Sequence, residues 1–291
     1  MKKNILCIGE VLIDGISTEI TNSLQQANTL EIIVGGSVAN FCNYLHKCNV
    51  DATLVASIGN DGFGKKIIET LNKENISTAY INVLDNCNTS FIAVSKTPQT
   101  PDFIAYRDAD REISSIDENL FNNANLVHST AFCLSQQPAS TAVLNIFDKA
   151  YKSNKLISID WNYAPSIWKN KAYANEVFST IQQYQPLLKF SIDDVSRFLE
   201  EEVDEQEALY FLSTVSAKLI CLTCGSKGVY FKTLHSDWSF LSAKKINVKN
   251  ATGAGDSFWA GCISAFIDEQ NIEMCVQKGI EIASLKLQDF L

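Results

Sequence analysis

Asn250-Ala251-Thr252-Gly253-Ala254-Gly255-Asp256-Ser257-Phe258-Trp259-Ala260-Gly261 reads as a small-residue loop running into a helix. Gly253, Ala254 and Gly255 carry almost no side chain, so their backbone N–H groups can approach a ligand closely. Ser257, Phe258, Ala260, Ile263, Ala265, Phe266 and Ile267 then open a mostly buried helix. Free N–H groups at a helix N-terminus, with the helix dipole behind them, make an anion site. Asp256 is a poor neighbour for an anion unless it has a task of its own. Taking a proton from a hydroxyl while the amides hold a transferring phosphoryl group is such a task. The same letters also suit a plain helix start capped by Asp or Ser. They do not match the P-loop, which needs Gly-Lys-Ser/Thr after its glycines.

Outward from this loop, apolar runs alternate with helical spacing along the whole chain. Runs at 4–10, 51–59, 126–129, 156–160, 187–191 and 219–223 predict strands. Helices are predicted from near Ser37, and over 65–75, 138–154, 172–182, 205–213 and 274–287. Asn60-Asp61-Gly62-Phe63-Gly64 reads as a tight turn, 225–231 as a turn into an edge strand, and 239–248 as a last β segment. The runs at 89–95 and 102–106, joined by 96–101, read as a hairpin outside the alternation and so as part of a small separate sheet. Alternation of this kind predicts one α/β domain over 1–291, with a mostly parallel sheet covered on both faces. Ligands then gather at the carboxyl ends of the strands. Asp14, Gly35-Gly36, Asn162, Ser191 and Gly225 all follow predicted strands and are expected on that edge.

The chain has 291 residues, 46% of them hydrophobic, which excludes a disordered protein. The net charge of −9 argues against nucleic acid and anionic membrane as partners. No apolar run is long enough to span a bilayer, and the short run after Lys2-Lys3 suits a first strand better than a signal peptide, so a cytoplasmic location is expected. Nine cysteines at irregular spacing point to reduced thiols. Cys221-Leu222-Thr223-Cys224 is formally a CxxC, but an odd offset along a strand sends the two sulfurs to opposite faces.

Two stretches now match one family. Gly35-Gly36-Ser37-Val38-Ala39-Asn40 with Ser57-Ile58-Gly59-Asn60-Asp61-Gly62-Phe63-Gly64 resembles the N-terminal signature of the ribokinase-like (PfkB-type) carbohydrate kinases, and the Asn250 loop resembles their C-terminal signature. Gly9-Glu10-x-x-Ile13-Asp14 and Thr223-x-Gly225-x-x-Gly228 agree, so the likeness covers nearly the whole chain. It implies a ribokinase-like fold and an ATP-dependent phosphotransferase acting on a sugar hydroxymethyl. Asp256 would be the base and Gly253, Ala254 and Gly255 the anion hole. Asp14, Gly35, Gly36, Asn40, Arg107 and Asn162 would meet the sugar. Ser191, Thr223, Gly225, Gly228, Asn250 and Thr252 would serve the nucleotide, and Asp194 the Mg²⁺. Segments of about 12–34 and 88–110 would form a β-sheet lid, through which members often pair as homodimers.

Departures from the family pattern are specific. Asn250-Ala251 stands where the loop usually begins Asp-Thr, an acid that helps hold a monovalent cation, so K⁺ is left open. Asp160-Trp161-Asn162-Tyr163-Ala164 lacks the arginine of Asp-Pro-Asn-x-Arg, and Ser191-Ile192-Asp193-Asp194 replaces Asn-x-x-Glu. No closing strand is expected after Ala283-Ser284. Tyr106-Arg107-Asp108-Ala109-Asp110 most resembles the fructokinase branch. A 2-keto-3-deoxygluconate kinase, a ribokinase, or a sugar- and nucleotide-binding protein that has lost turnover stay open at this point.

Overall fold

Apolar runs and amphipathic stretches become elements in the order the sequence sets. The computed structural model describes residues 3–97, 102–113 and 115–291. The chain runs through β1 (Asn4–Ile8), β2 (Leu12–Ile20), β3 (Leu30–Gly35), α1 (Ser37–Lys47), β4 (Asp51–Gly59), α2 (Gly62–Lys73), β5 (Ile81–Leu84), β6 (Phe91–Lys96) and β7 (Phe103–Tyr106). It continues with α3 (Glu118–Asn123), β8 (Leu126–Thr130), α4 (Ala131–Leu134), α5 (Ala139–Lys152), β9 (Leu156–Asp160), α6 (Lys171–Gln182), β10 (Leu187–Ser191), α7 (Ile192–Leu199) and α8 (Glu205–Ser213). β11 (Leu219–Thr223), β12 (Gly228–Thr233), β13 (Ser239–Ser242), α9 (Ala254–Ile267) and α10 (Ile272–Leu287) complete it.

Among the described residues the main sheet has nine strands, ordered β13-β12-β11-β10-β9-β8-β1-β4-β5. All pairs are parallel except β11–β12 and β12–β13. The inner strands are buried on both faces, which is why they read as continuous apolar runs rather than alternating ones. One face packs against α1, α2, α9 and α10, and the other against α3 to α8. The buried Trp259 donates from Nε1 to Ser158 Oγ on β9 at 2.9 Å, which pins α9 to the sheet. α10 lies close against α9 because Gly279 faces Phe258 and Gly261 faces Ile282; a Cβ at Gly279 would stand 2.7 Å from the Phe258 ring.

The separate sheet runs β3-β2-β6-β7, with β2 and β6 parallel and the outer pairs antiparallel. Its Phe91 stacks on Phe63 of α2 at 5.9 Å. Asp61, which caps α2 by accepting from the Gly64 amide (2.8 Å), also accepts from the Thr89 amide (2.7 Å) and hydroxyl (2.8 Å) and so ties the start of β6 to the main sheet. No helix among the described residues is long and apolar enough to cross a membrane.

The mostly parallel sheet and the small separate one match the expected architecture, and several details differ. Gly62-Phe63-Gly64 is the first turn of α2 rather than a free turn, because Asp61 supplies the cap. β12 is not an edge strand: β13 pairs outside it, and β13 stops at Ser242 where the exposed Lys244-Lys245 stretch begins. Asp14 sits inside β2 of the small sheet, not in a loop after a main-sheet strand. The expected connector at 96–101 lies largely outside the described residues. Cys221 joins the core on the α9 side and Cys224 the opposite one, and all nine cysteines are free thiols.

Candidate active site

Gly253 adopts φ +76°, a left-handed conformation suited to glycine, and this turns the chain into α9. The Ala254 amide bends back to the Ala251 carbonyl at 3.2 Å, and the Thr252 amide donates to Asn250 Oδ1 at 2.9 Å. The amides of Gly253, Gly255 and Asp256 have no partner among the described residues. Three donors are therefore left free at the start of α9, and the Ala254 amide, which the sequence reading included, is not among them.

Asp256 is buried, and its Oδ2 accepts from Asn40 Nδ2 of α1 at 2.9 Å. Burial pushes its carboxyl above the usual carboxylate range, while the Asn40 amide, the Lys189 ammonium and the Ser37 hydroxyl pull it back. Asp14 faces it from the small sheet. Burial, helped by the nearby Asp256 charge, raises the Asp14 carboxyl to about 7. Gly35 gives Asp14 its seat: a Cβ there would stand 2.0 Å from Asp14 Oδ2. Gly36 at φ +104° packs on the Glu10 carbonyl, where a Cβ would come within 2.6 Å. Asn162 donates to Ser37 Oγ at 2.9 Å, which joins the loop after β9 to the start of α1.

Arg107 is held differently. Its Nε and Nη2 both donate to Asp110 Oδ2, at 2.9 and 2.6 Å, and Nη1 donates to Ser135 Oγ. The guanidinium stacks on the Phe132 ring at 3.9 Å and its side chain is 3% exposed. It braces the base of the small sheet.

A cavity of about 580 Å³ opens beside Asp256, walled by Ser37, Asp160, Lys189, Asp194 and Gly255. Thr223, Gly225, Ala254 and Gly255 also border a second, mostly apolar cavity of about 510 Å³, reaching Gly228, Ile246, Phe258 and Leu287. One polar chamber and one apolar chamber sharing a wall of small residues suit a molecule with a charged end and a flat apolar end. Ser191 and Asp194 form a capping box on α7: the Ser191 amide donates to Asp194 Oδ2 (2.7 Å) and the Asp194 amide to Ser191 Oγ (3.1 Å). Thr223 donates to the Phe190 carbonyl at 3.2 Å, and Asn250 and Thr252 are exposed at the rim.

The sequence reading missed the buried pair of Lys189 and Asp160. Lys189 Nζ lies 3.0 Å from both Asp160 oxygens, and a Cβ on Gly255 would be 2.9 Å from Nζ. Burial would lower the ammonium's pKa, but Asp160, Asp194 and Asp256 outweigh it, so Lys189 is held charged directly beneath the amides. Its signal was a lysine inside the apolar run Leu187-Leu188-Lys189-Phe190. Among the described residues no three His, Cys, Asp or Glu side chains are grouped to hold a metal by themselves. The oxygen donors of Asp193 and Asp194 on the cavity wall fit a hard cation that arrives already carried by phosphates.

The model of the pfkB family of carbohydrate kinases matches residues 2–290. An ATP-dependent 6-phosphofructokinase of Thermoanaerobacterium thermosaccharolyticum is 30% identical over 289 residues, covering 99% of this chain and 88% of the relative. The solved fructokinase of Halothermothrix orenii superposes with a TM-score of 0.82 at 26% identity, covering 96% of this chain and 98% of that one. An uncharacterized sugar kinase of Pyrococcus horikoshii, solved in complex with ATP, gives 0.82 at 24% identity, with 98% and 92% covered. Fold, signatures and relatives agree: the chain belongs to the pfkB family of carbohydrate kinases and is a ribokinase-like phosphotransferase with a sugar acceptor.

Proposed function

We propose that the protein transfers the γ-phosphoryl group of ATP to a hydroxymethyl of a small sugar, in the manner of a fructokinase. One observation carries this: the Asp256 carboxylate and three unpartnered amides share the first turn of α9 and open on the same cavity. In this reading Asp14, Asn40 and Asn162 hold the sugar, with Gly35 and Gly36 shaping the backbone beneath it. Asp256 takes the hydroxyl proton as the new O–P bond forms and the bond to the leaving ADP oxygen breaks. Its raised carboxyl pKa suits the role, since a base nearer neutrality accepts a proton more readily. The amides of Gly253, Gly255 and Asp256 face the phosphoryl oxygens, and Lys189 adds a fixed positive charge behind Gly255. The arginine absent at Ala164 is thereby replaced in charge, though not in place.

The nucleotide's terminal phosphates would occupy the polar chamber and its base the apolar one, between Val229 and Phe258. A Mg²⁺ ion carried on the phosphates would meet Asp193 and Asp194 and neutralise the charge that develops on the phosphoryl oxygens. The small sheet, hinged where Asp61 grips Thr89 and Arg107 grips Ser135, acts as the lid that keeps water from the phosphoryl group. Its exposed Ile20, Ile104 and Tyr106 support pairing of two copies through this sheet.

Coupled ADP release against a panel of sugars, with and without K⁺, tests the activity. Asp256→Asn is expected to lower kcat by roughly 10²–10⁴-fold while sugar and ATP binding change little. A near-normal kcat in that variant removes Asp256 as the base.

A further inference from the structure

The strands of the small sheet settle which side chains share the Asp14 face. Asp14 pairs with Ile33 and Ile92, and Ile16 with Glu31 and Val94. Directly paired residues project to the same side of a sheet. The opposite face packs in part, with Ile13 buried and Phe91 against Phe63, and leaves Ile104 and Tyr106 exposed. The face toward Asp256 therefore offers two carboxylates and apolar side chains around Asp14, and its one lysine, Lys96, stands at the far end of β6, four residues beyond Ile92.

Among the described residues every cation lining the polar cavity, and Arg107 beside the small sheet, already lies by a carboxylate; Lys244 and Lys245 border only the apolar cavity. Arg107 is spent on Asp110, Lys189 on Asp160 and Lys227 on Glu205, and Arg197 lies 3.8 Å from Asp194. Residues 98–101 are Pro-Gln-Thr-Pro and add no charge. Burying an anion without a cation or several donors is costly, and like charges brought together cost several kcal/mol. Asp14 and Asp256 already press on one another: the charge of Asp256 helps raise the Asp14 carboxyl.

We infer that the acceptor is an uncharged sugar, carrying neither a phosphate nor a carboxylate. The inference rests on the kinase reading and narrows it. It places this chain apart from its relative named for 6-phosphofructokinase activity, despite their 30% identity. The remaining selectivity among neutral sugars then falls to hydroxyl geometry at Asp14, Asn40 and Asn162, since no charge is available to sort them.

The test compares kcat/KM for D-fructose and D-ribose with that for D-fructose 6-phosphate, D-ribose 5-phosphate and D-gluconate. The neutral sugars are expected to lead by at least about 100-fold, the scale set by like-charge repulsion. A phosphorylated or acidic sugar used equally well overturns the inference and leaves the kinase reading standing. Should no acceptor turn over, calorimetric titration of the same sugars into ATP-saturated protein decides on binding alone. Tighter binding of the neutral member supports the inference, and tighter binding of the charged member overturns it. Binding of none overturns it together with the kinase reading. As a second arm, Ile92→Arg puts a cation on the Asp14 face and should narrow the neutral-to-phosphate ratio by about 10-fold or more; an unchanged ratio in the folded variant counts against this face as the selective surface.

Discussion

Asp14 carries a pH signature of its own. Its carboxyl is raised to about 7 in the folded protein, against about 4 when unfolded. Between those values the folded state binds a proton that the unfolded state does not, so this group's contribution falls as pH rises through 7. Asp14→Asn should therefore melt higher than the parent at pH 8, with a smaller gain at pH 5, in thermal scans. The same ionisation acts oppositely on function, since a charged carboxylate is the stronger acceptor for sugar hydroxyls. kcat/KM for the sugar should rise with pH through about 7, and this limb should flatten in Asp14→Asn, whose KM increases. Little of this was legible beforehand. Asp14 stood out as an acid after an apolar run, but its burial depends on β6, some 80 positions away and paired in parallel with β2. Lys189 and Asp160 stayed hidden for the same reason: the pairing that joins them crosses from β9 to β10.

Local chemistry explains why α9 was readable and parts of the periphery were not. Gly253-Ala254-Gly255 permits the left-handed turn that enters α9, and the apolar residues after it favour burial. By contrast, whether β12 is an edge depends on where β13 pairs: a last β segment at 239–248 was legible, but its partner strand and its end at Ser242 were not. α7 was missed because Ser191 and Asp194 were weighed as ligands, while their reciprocal hydrogen bonds also start a helix. The contact of α9 with α10 yields a prediction of its own. A methyl at Gly279 would press on the Phe258 ring and carbonyl, so Gly279→Ala should cost about 1–3 kcal/mol in urea unfolding, the usual penalty for overpacking. Phe258 also walls the apolar chamber, so ATP affinity should weaken in the same variant while sugar affinity holds.

The molecule divides into a main sheet with its helices and a small separate sheet, the proposed lid. α9 and the inner strands are buried on nearly every side, whereas the small sheet meets the rest through α2 and a few polar ties. Saturating sugar and nucleotide should slow amide exchange across 12–35 and 91–106 far more than across β9, β10 and β11. Equal protection of both regions would argue against closure. Asp61→Ala removes both a helix cap and the grip on Thr89, which together are worth about 2 kcal/mol. It should raise the sugar KM several-fold with the ATP KM nearly unchanged.

The seat that Gly35 provides has an evolutionary consequence. Any larger residue there would have to stand where the Asp14 carboxylate lies, 2.0 Å from one of its oxygens. The two positions form a lock with one key, and selection cannot revise either alone. In a saturation library sorted for growth on the substrate, codons 14 and 35 should fall silent together, and no second-site change in the floor of the cleft should restore them.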